Sequence, residues 1–199
     1  NLLRSSQSRQ KFIRLNKQAR LDLQWWSLFL PSWNGISFFD LPEWAPVPEF
    51  EISTDASGSK GFGGYYHNQW FSAAWLPNQE PLGMAYKELY PIVVSCYLWG
   101  HYWRHQRVLF HCDNQSVVHI LKTGASKDDT IMDLVRELFL LAAKYDFRIA
   151  AAHVPGKENL LADALSRFQL QEFFHLAPHA TKIPVPIPQE LQARLTSNL

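Results

Sequence analysis

Between Phe50 and Phe173 the apolar residues keep changing their period, and that alternation limits the fold more than any other feature of this chain. Phe50, Ile52 and Thr54 alternate with Glu51, Ser53 and Asp55, the two-residue period of a strand over 50–55. Gly58, Gly61, Gly63 and Gly64 surround a second strand, 62–67, and Asn68-Gln69 reads as a hairpin turn into a third, 69–75. The period then becomes helical over 84–104, where Ala85, Leu89, Ile92, Val93, Cys96 and Trp103 form one stripe. Pro91 removes the bond to the Lys87 carbonyl and predicts a local distortion beside Glu88. A fourth strand follows at 107–112. Asn114 caps a short helix, 115–122, which Gly124 stops, and Asp128 or Asp129 starts another over 130–144. A fifth strand at 147–153 and a helix at 158–173, after Pro155-Gly156, complete the pattern. Hairpin-linked strands followed by alternating helices and strands predict an α/β domain with a mixed five-stranded sheet.

The flanks read differently. Leu15, Ala19, Leu23, Trp26 and Leu30 recur at helical spacing, which predicts a helix over 16–30 that Pro31 ends. Residues 31–49 hold four prolines together with Trp33, Trp44, Phe38 and Phe39, a tether too aromatic to run free. Residues 175–199, with Pro178, Pro184, Pro186 and Pro188, read as a linker. The expected units are therefore 1–49, 50–174 and 175–199. The chain opens on Asn1 and shows no signal peptide, so it is expected to be a piece of a longer one.

Composition excludes several classes. With 47% hydrophobic and 14% aromatic residues, the chain can build a core and is not disordered overall. No apolar run approaches about 18 residues, so no membrane span is expected. Cys96 and Cys112 cannot make a zinc site by themselves; in apolar surroundings they read as buried free thiols, which suits an intracellular setting, cytoplasmic or nuclear. Net charge is +1, yet residues 1–20 carry six Lys or Arg and no acid, whereas 50–175 carry 11 Lys or Arg against 13 Asp or Glu. A domain that grips nucleic acid unaided shows a basic footprint. This one does not.

Four acids stand out on the predicted elements: Asp55 on the first strand, Glu88 early in the long helix, Asp113 closing the fourth strand, and Asp163 on the last helix, ten residues after His153. A carboxylate on a core element is costly unless a partner or a metal balances it. Two-metal phosphodiester cleavage needs such a set, because hard cations take oxygen ligands and sit about 3.5–4 Å apart. Singly, each has an ordinary explanation: Asp113 could cap a helix, Glu88 could be exposed, Asp55 could belong to a turn, and Asp163 could pair with Lys157 or Arg167. Tyr65, Tyr66, Trp70, Phe71 and Trp75 could stack on nucleic acid, but on alternating strands they read first as core.

The segment from His153 to Arg167, His-Val-Pro-Gly-Lys-Glu-Asn-Leu-Leu-Ala-Asp-Ala-Leu-Ser-Arg, resembles the C-terminal signature of ribonuclease H domains in gypsy-like retroelements. Thr54-Asp55-Ala56-Ser57, Lys87-Glu88-Leu89 and Cys112-Asp113-Asn114 resemble the other corners, so the likeness covers about residues 50–170. Ala19 to Trp26, followed by Pro31-Ser32-Trp33-Asn34-Gly35, is similar to the tether of DIRS-type elements, which carry a recombinase downstream. The resemblance implies a ribonuclease H-like fold with helices on both faces of the sheet, and Mg²⁺-dependent hydrolysis of the RNA strand of RNA/DNA hybrids. It implies two Mg²⁺ ions, with Mn²⁺ as a substitute, held by Asp55, Glu88, Asp113 and Asp163, and a histidine, His153, that assists proton transfer or product release. It also points to Ser57, Asn114 and Asn159 as substrate contacts. The implied partners are the hybrid, an upstream polymerase domain in the same polyprotein, and a downstream recombinase or integrase. The basic helix that cellular enzymes often insert before the last acid is missing: 50 residues separate Asp113 from Asp163, and they include Asp128, Asp129 and Asp133. Two other readings remain, a catalytically silent module that binds nucleic acid or the polymerase, and a DNA-cutting enzyme of the same fold. The second usually places its glutamate last, whereas here it comes second.

Overall fold

A computed structural model describes residues 14–32 and 50–196. The basic residues before Arg14 and the Trp/Pro-rich stretch 33–49 lie outside the described residues.

The sheet is built from β1 (Phe50–Ala56), β2 (Gly61–Tyr66), β3 (Gln69–Ala74), β4 (Arg107–Cys112) and β5 (Arg148–His153), in the order β3-β2-β1-β4-β5. β1 pairs antiparallel with β2 and parallel with β4, β2 pairs antiparallel with β3, and β4 pairs parallel with β5. Only β2 therefore runs against the rest. The turn between β2 and β3 centres on His67 and Asn68, with φ of 46° and 66°, one residue earlier than the sequence suggested. A two-residue hairpin turn of this hand needs positive φ at both central positions, which Asn tolerates better than Gln69 would.

Helices cover both faces, and two adjacent glycines show how closely. Residues next to each other on a strand point to opposite sides. A side chain on Gly63 would strike Leu165, on α5 (Leu160–Ser166), while one on Gly64 would meet Phe71 and Ser95, the latter on α2 (Met84–Trp99). With α2 lie α3 (Gln115–Thr123) and α4 (Asp129–Tyr145), around a core that includes Ile52, Phe62, Leu89, Phe110 and Leu138. Beside α5 lies α6 (Leu170–Leu176), whose Phe173 packs with Trp70, Ala164 and Leu165 in a second, smaller core. This mixed five-stranded sheet with helices on both faces is the arrangement expected of a ribonuclease H-like fold. Tyr66, Trp70, Phe71 and Trp75 are buried in it and Tyr65 packs on Phe173, so these aromatics serve the cores.

The expected caps form. Asn114 Oδ1 accepts from the backbone of Ser116 and Val117, Gly124 closes α3 at φ +63°, and Asp128 Oδ1 accepts from Thr130 and Ile131 at the start of α4. Other details differ from expectation. α2 stays a single helix across Pro91 but ends at Trp99, giving way to a 3-10 turn at Gly100–Tyr102. The helix expected over 158–173 is two helices. The chain turns sharply at Phe168 (φ 61°), where Gln169 N–H donates to the Ala164 carbonyl. That turn carries Phe173 back over Trp70, where a straight helix would have carried it away.

On α1 (Lys17–Phe29) the docked face is not the expected stripe. Trp25 Nε1 donates to the Arg136 carbonyl on α4 at 2.9 Å, and the Arg136 guanidinium donates to Asp22 and Gln18. Leu23, Trp26 and Leu30 stay exposed. Trp25 and Phe29, one helical position away, meet the domain because Gln18 and Asp22 beside them satisfy Arg136.

The segment expected as a linker is also fixed. Thr181 N–H donates to the Asn68 carbonyl and Val185 N–H to the Trp70 carbonyl, so the chain runs beside β3, an edge strand whose unpaired backbone would otherwise invite association. α7 (Gln189–Thr196) then buries Leu191 and Leu195 in the main core. Leu191→Ala should destabilise the protein by about 2–5 kcal/mol in urea or guanidinium titrations. A loss below about 0.5 kcal/mol, typical of a surface position, would show that α7 does not belong to the core.

Candidate active site

Register assembles the acids. Ser53 lies opposite His111 in the parallel β1–β4 pair, and beyond it the chains lead to Asp55, near the carboxyl end of β1, and Asp113, the residue after β4. Asp55 is paired with Gly63 across β2, and Gly63 faces Leu165, so Asp55 points to the α5 side of the sheet. There Ser166 Oγ donates to Asp55 Oδ2 at 2.5 Å and also to the Asp163 carbonyl. Glu88 arrives from α2, on the other face, and accepts a hydrogen bond from the backbone of Ala56, where β1 ends. Cys112 lies between Glu88 and Asp113, and ligand atoms of these three residues fall within 4.8 Å of one another. The fourth acid, Asp163, sits in the first turn of α5 and is close enough to raise the pKa of Asp55, as Asp113 does. One of the ordinary explanations holds as well: Arg167 Nε donates to Asp163 Oδ1 at 2.6 Å. That pair engages a single carboxylate oxygen.

The remaining expected residues divide. His153 ends β5 opposite Cys112, and its exposed ring is 3.1 Å from the Asp113 carbonyl through Nε2. Gly156 lets the Pro-Gly turn close over this corner, since a Cβ there would lie 3.1 Å from Asp113 Oδ2. Asn114 spends its Oδ1 on the α3 cap but stays half-exposed at the head of an open groove of about 810 Å³, lined by Gln115, Ser116, His119, Thr123 and Lys127. Ser57 and Asn159 are nearly closed to solvent. Ser57 Oγ accepts from the Lys60 backbone, and Asn159 Nδ2 donates to the Thr54 carbonyl, tying α5 to β1. These two bonds brace the loop and the strand that carry Asp55, while Asn159 Oδ1 has no hydrogen-bond partner among the described residues.

Ser166 is the site residue that sequence reasoning passed over. Its signal was there, one helical turn after Asp163 and therefore on the same face of α5.

Electrostatics follow from burial. Desolvation, with smaller contributions from Asp55 and Asp113, pushes Glu88 up to about 9. Asp55 is raised to about 6, mainly by desolvation; Asp113 and Asp163 add to the rise, while the Ser166 hydroxyl and Arg167 oppose it. Glu88 Oε2 is buried with no hydrogen-bond partner among the described residues, a costly state that a cation would relieve. The donors around it are oxygens, which suits Mg²⁺ or Mn²⁺. Burial, helped by the Glu88 charge, raises the Cys112 thiol to about 12 in the metal-free fold, and its hydrogen bonds run to the Asn114 backbone. Glu88 and Asp113, within ligand distance of one another, fit a divalent metal, and Asp55 and Asp163 lie near enough to act on the same charge.

No family model and no curated protein matches the chain. Several solved structures are similar to it, among them the two that follow. An N-terminal RNase H domain from Mycobacterium tuberculosis, solved as a fusion with maltose-binding protein, shares 16% identity over 66% of this chain and 99% of that one, with a TM-score of 0.45. RNase H1 from the halophilic archaeon Halobacterium salinarum NRC-1 shares 17% over 62% of this chain and 96% of that one, with a TM-score of 0.42. In the described residues, no helix is long and apolar enough to cross a membrane.

Two predictions follow from this chemistry. In the metal-free fold Glu88 keeps its proton up to about pH 9, whereas the unfolded chain gives it up near 4.5. Between those values the native state binds more protons, so this group makes stability fall as pH rises. Thermal melts in chelator should therefore show a Glu88→Gln variant gaining on wild type as pH increases across that window; a constant difference would contradict the assignment. Ser166→Ala should weaken Mg²⁺ binding by roughly 10- to 100-fold in calorimetric titrations, as loss of a ligand-orienting hydrogen bond does. Unchanged affinity would remove Ser166 from the site.

Proposed function

We propose that this chain is a ribonuclease H, a metal-dependent endonuclease that cuts the RNA strand of RNA/DNA hybrids during reverse transcription of a retroelement. The observation that carries the reading is the convergence of four carboxylates, from β1, α2, β4 and α5, on one end of the central strands, with a buried oxygen of Glu88 left without a partner. The signature from His153 to Arg167 supports the retroelement assignment, as does the likeness of the N-terminal flank to a DIRS-type tether. An upstream polymerase and a downstream recombinase or integrase in the same polyprotein are the partners that go with it.

Asp55, Glu88, Asp113 and Asp163 would hold the metal; Glu88 must give up its proton to do so. Mg²⁺, when bound, supplies an activated water and a stabilised leaving oxygen for phosphodiester hydrolysis. Ser166 keeps the Asp55 carboxylate aimed into the site, and Asn159 keeps β1 and α5 in step. His153, exposed beside Asp113, would pass a proton between the site and solvent. Asn114, with Gln115, Ser116 and Thr123 in the groove beside it, would offer hydrogen bonds to a nucleic-acid backbone.

The purified chain with Mg²⁺ should cut the RNA of a labelled RNA/DNA hybrid and spare duplex DNA, leaving 5′-phosphate and 3′-hydroxyl ends. Asp113→Asn should lower the rate by at least about 100-fold, the scale of losing a principal electrostatic group. Ca²⁺ should support hybrid binding without cleavage. If wild type and Asp113→Asn are equally inert, even when joined to the polymerase, the chain is a silent binding module instead.

A further inference from the structure

Arg167 ends α5 at the rim of the carboxylate cluster. Its Nε donates to Asp163 Oδ1, and its charge lowers the pKa of Asp55, so it acts on two of the four acids. The side chain is 48% exposed, and among the described residues its two terminal amino groups have no hydrogen-bond partner. A guanidinium presents five donors in a planar fork that matches phosphate oxygens. Holding Asp163 uses only the Nε donor.

The backbone beside Arg167 is unusual. Phe168 has φ of 61°, which bulky residues rarely adopt, and such strain concentrates at functional sites. Its ring lies where a side chain on Gly61 would sit, 2.7 Å from the ideal Cβ position, so the turn depends on a glycine in β2. The turn stops α5 at Arg167, leaving that side chain beside the acids.

We infer that Arg167 is a phosphate-binding residue: while Nε holds Asp163, the two terminal amino groups take the non-bridging oxygens of a backbone phosphate next to the one being cut. This rests on the ribonuclease reading for the identity of the strand, and the ligand class is a nucleic-acid phosphodiester. Lysine could neutralise Asp163 or reach a phosphate, but its single ammonium cannot form the fork that does both.

The test is binding of the full chain to a fluorescent RNA/DNA duplex in Ca²⁺ over a series of salt concentrations. Wild type, Arg167→Ala, Arg167→Lys and Arg107→Ala would be compared, Arg107 lying at the far end of β4 from Asp113. Each phosphate contact adds about 0.9 to the slope of log affinity against log salt. Arg167→Ala should therefore bind roughly tenfold more weakly with a slope shallower by about 0.9. Arg167→Lys should regain the slope with intermediate affinity, and Arg107→Ala should match wild type. If Arg167→Ala keeps the wild-type slope while only the Mg²⁺ dependence of cleavage shifts, Arg167 serves Asp163 alone and the inference is overturned while the ribonuclease reading stands. A shallower slope in a chain that never cuts RNA would leave the inference standing and remove that reading. Wild type that fails to bind the hybrid overturns both.

Discussion

The parallel pairing of β1 with β4 is the constraint on which the site depends. Parallel neighbours cannot be joined by a tight turn, so the chain leaves β1, makes β2 and β3, and returns through α2 before entering β4. The return helix carries Glu88. One topological requirement therefore brings Asp55, Asp113 and Glu88 to the same end of the strands. Because side chains alternate along a strand, a slip of one residue in β1 would turn Asp55 from the α5 face into the core beneath α2. Ile52 and Phe110, fully buried and paired across the two strands, guard against that slip.

Gathering acids in this way works against folding. Burial raises both Asp55 and Glu88, and repulsion from neighbouring carboxylates adds to it, Asp113 and Asp163 acting on Asp55, and Asp55 and Asp113 on Glu88. The fold answers with a few polar groups, chiefly from α5: the Ser166 hydroxyl on Asp55 and the Arg167 guanidinium on Asp163, with the Ala56 amide on Glu88. None of these satisfies Glu88 Oε2. The remaining cost falls on the two apolar cores, which meet the sheet from opposite sides at Gly63 and Gly64. A domain whose net stability is about 5–15 kcal/mol can carry such a site only if its packing is otherwise sound. Leu191 and Leu195 of α7 add to that packing from outside the span of the sheet.

Much of this was legible in the sequence. Strand and helix periods located all five strands and the helices α2 to α4 to within a few residues, and Asn114, Gly124 and Asp128 marked helix ends as their chemistry requires. The four acids stood out because each breaks an otherwise apolar or capped context. What escaped was set by tertiary contacts. Nothing local announces the turn at Phe168, since Phe is a poor candidate for positive φ; its reason is Phe173 finding Trp70. Four prolines made 175–199 look like a linker, whereas the pull of the β3 edge and of the core under α7 acts over distance in sequence. Ser57 and Asn159 stood out through where they sit in the motif; that Ser57 Oγ also braces its loop and Asn159 Nδ2 the Thr54 carbonyl is a tertiary fact the motif does not carry. On α1 the apolar stripe was visible, but Arg136, more than a hundred residues away, selected a different face.

The charge of the domain bears on how such a site could hold a polyanion. Residues 50–175 carry two more acids than bases, and the groove beside Asn114 is largely apolar, with Lys127 among the residues that line it. Arg167 supplies positive charge at the acids themselves, too little to account for a long phosphate contact. α1 stands where more could be added. Trp25, Trp26 and Gly124 line one small cavity of about 250 Å³, and Thr123 and Ala125, on either side of Gly124, line the groove. Lys17 and Arg20 of the helix and Arg14 before it are exposed, and Arg136 holds the helix on α4 through Asp22 and Gln18. Under the proposed function the chemistry resides in the sheet, while the cations that could extend the grip belong to a segment docked by polar contacts onto α4. Salt would then act twice, screening the phosphates and loosening the exposed Asp22–Arg136 pair that positions α1.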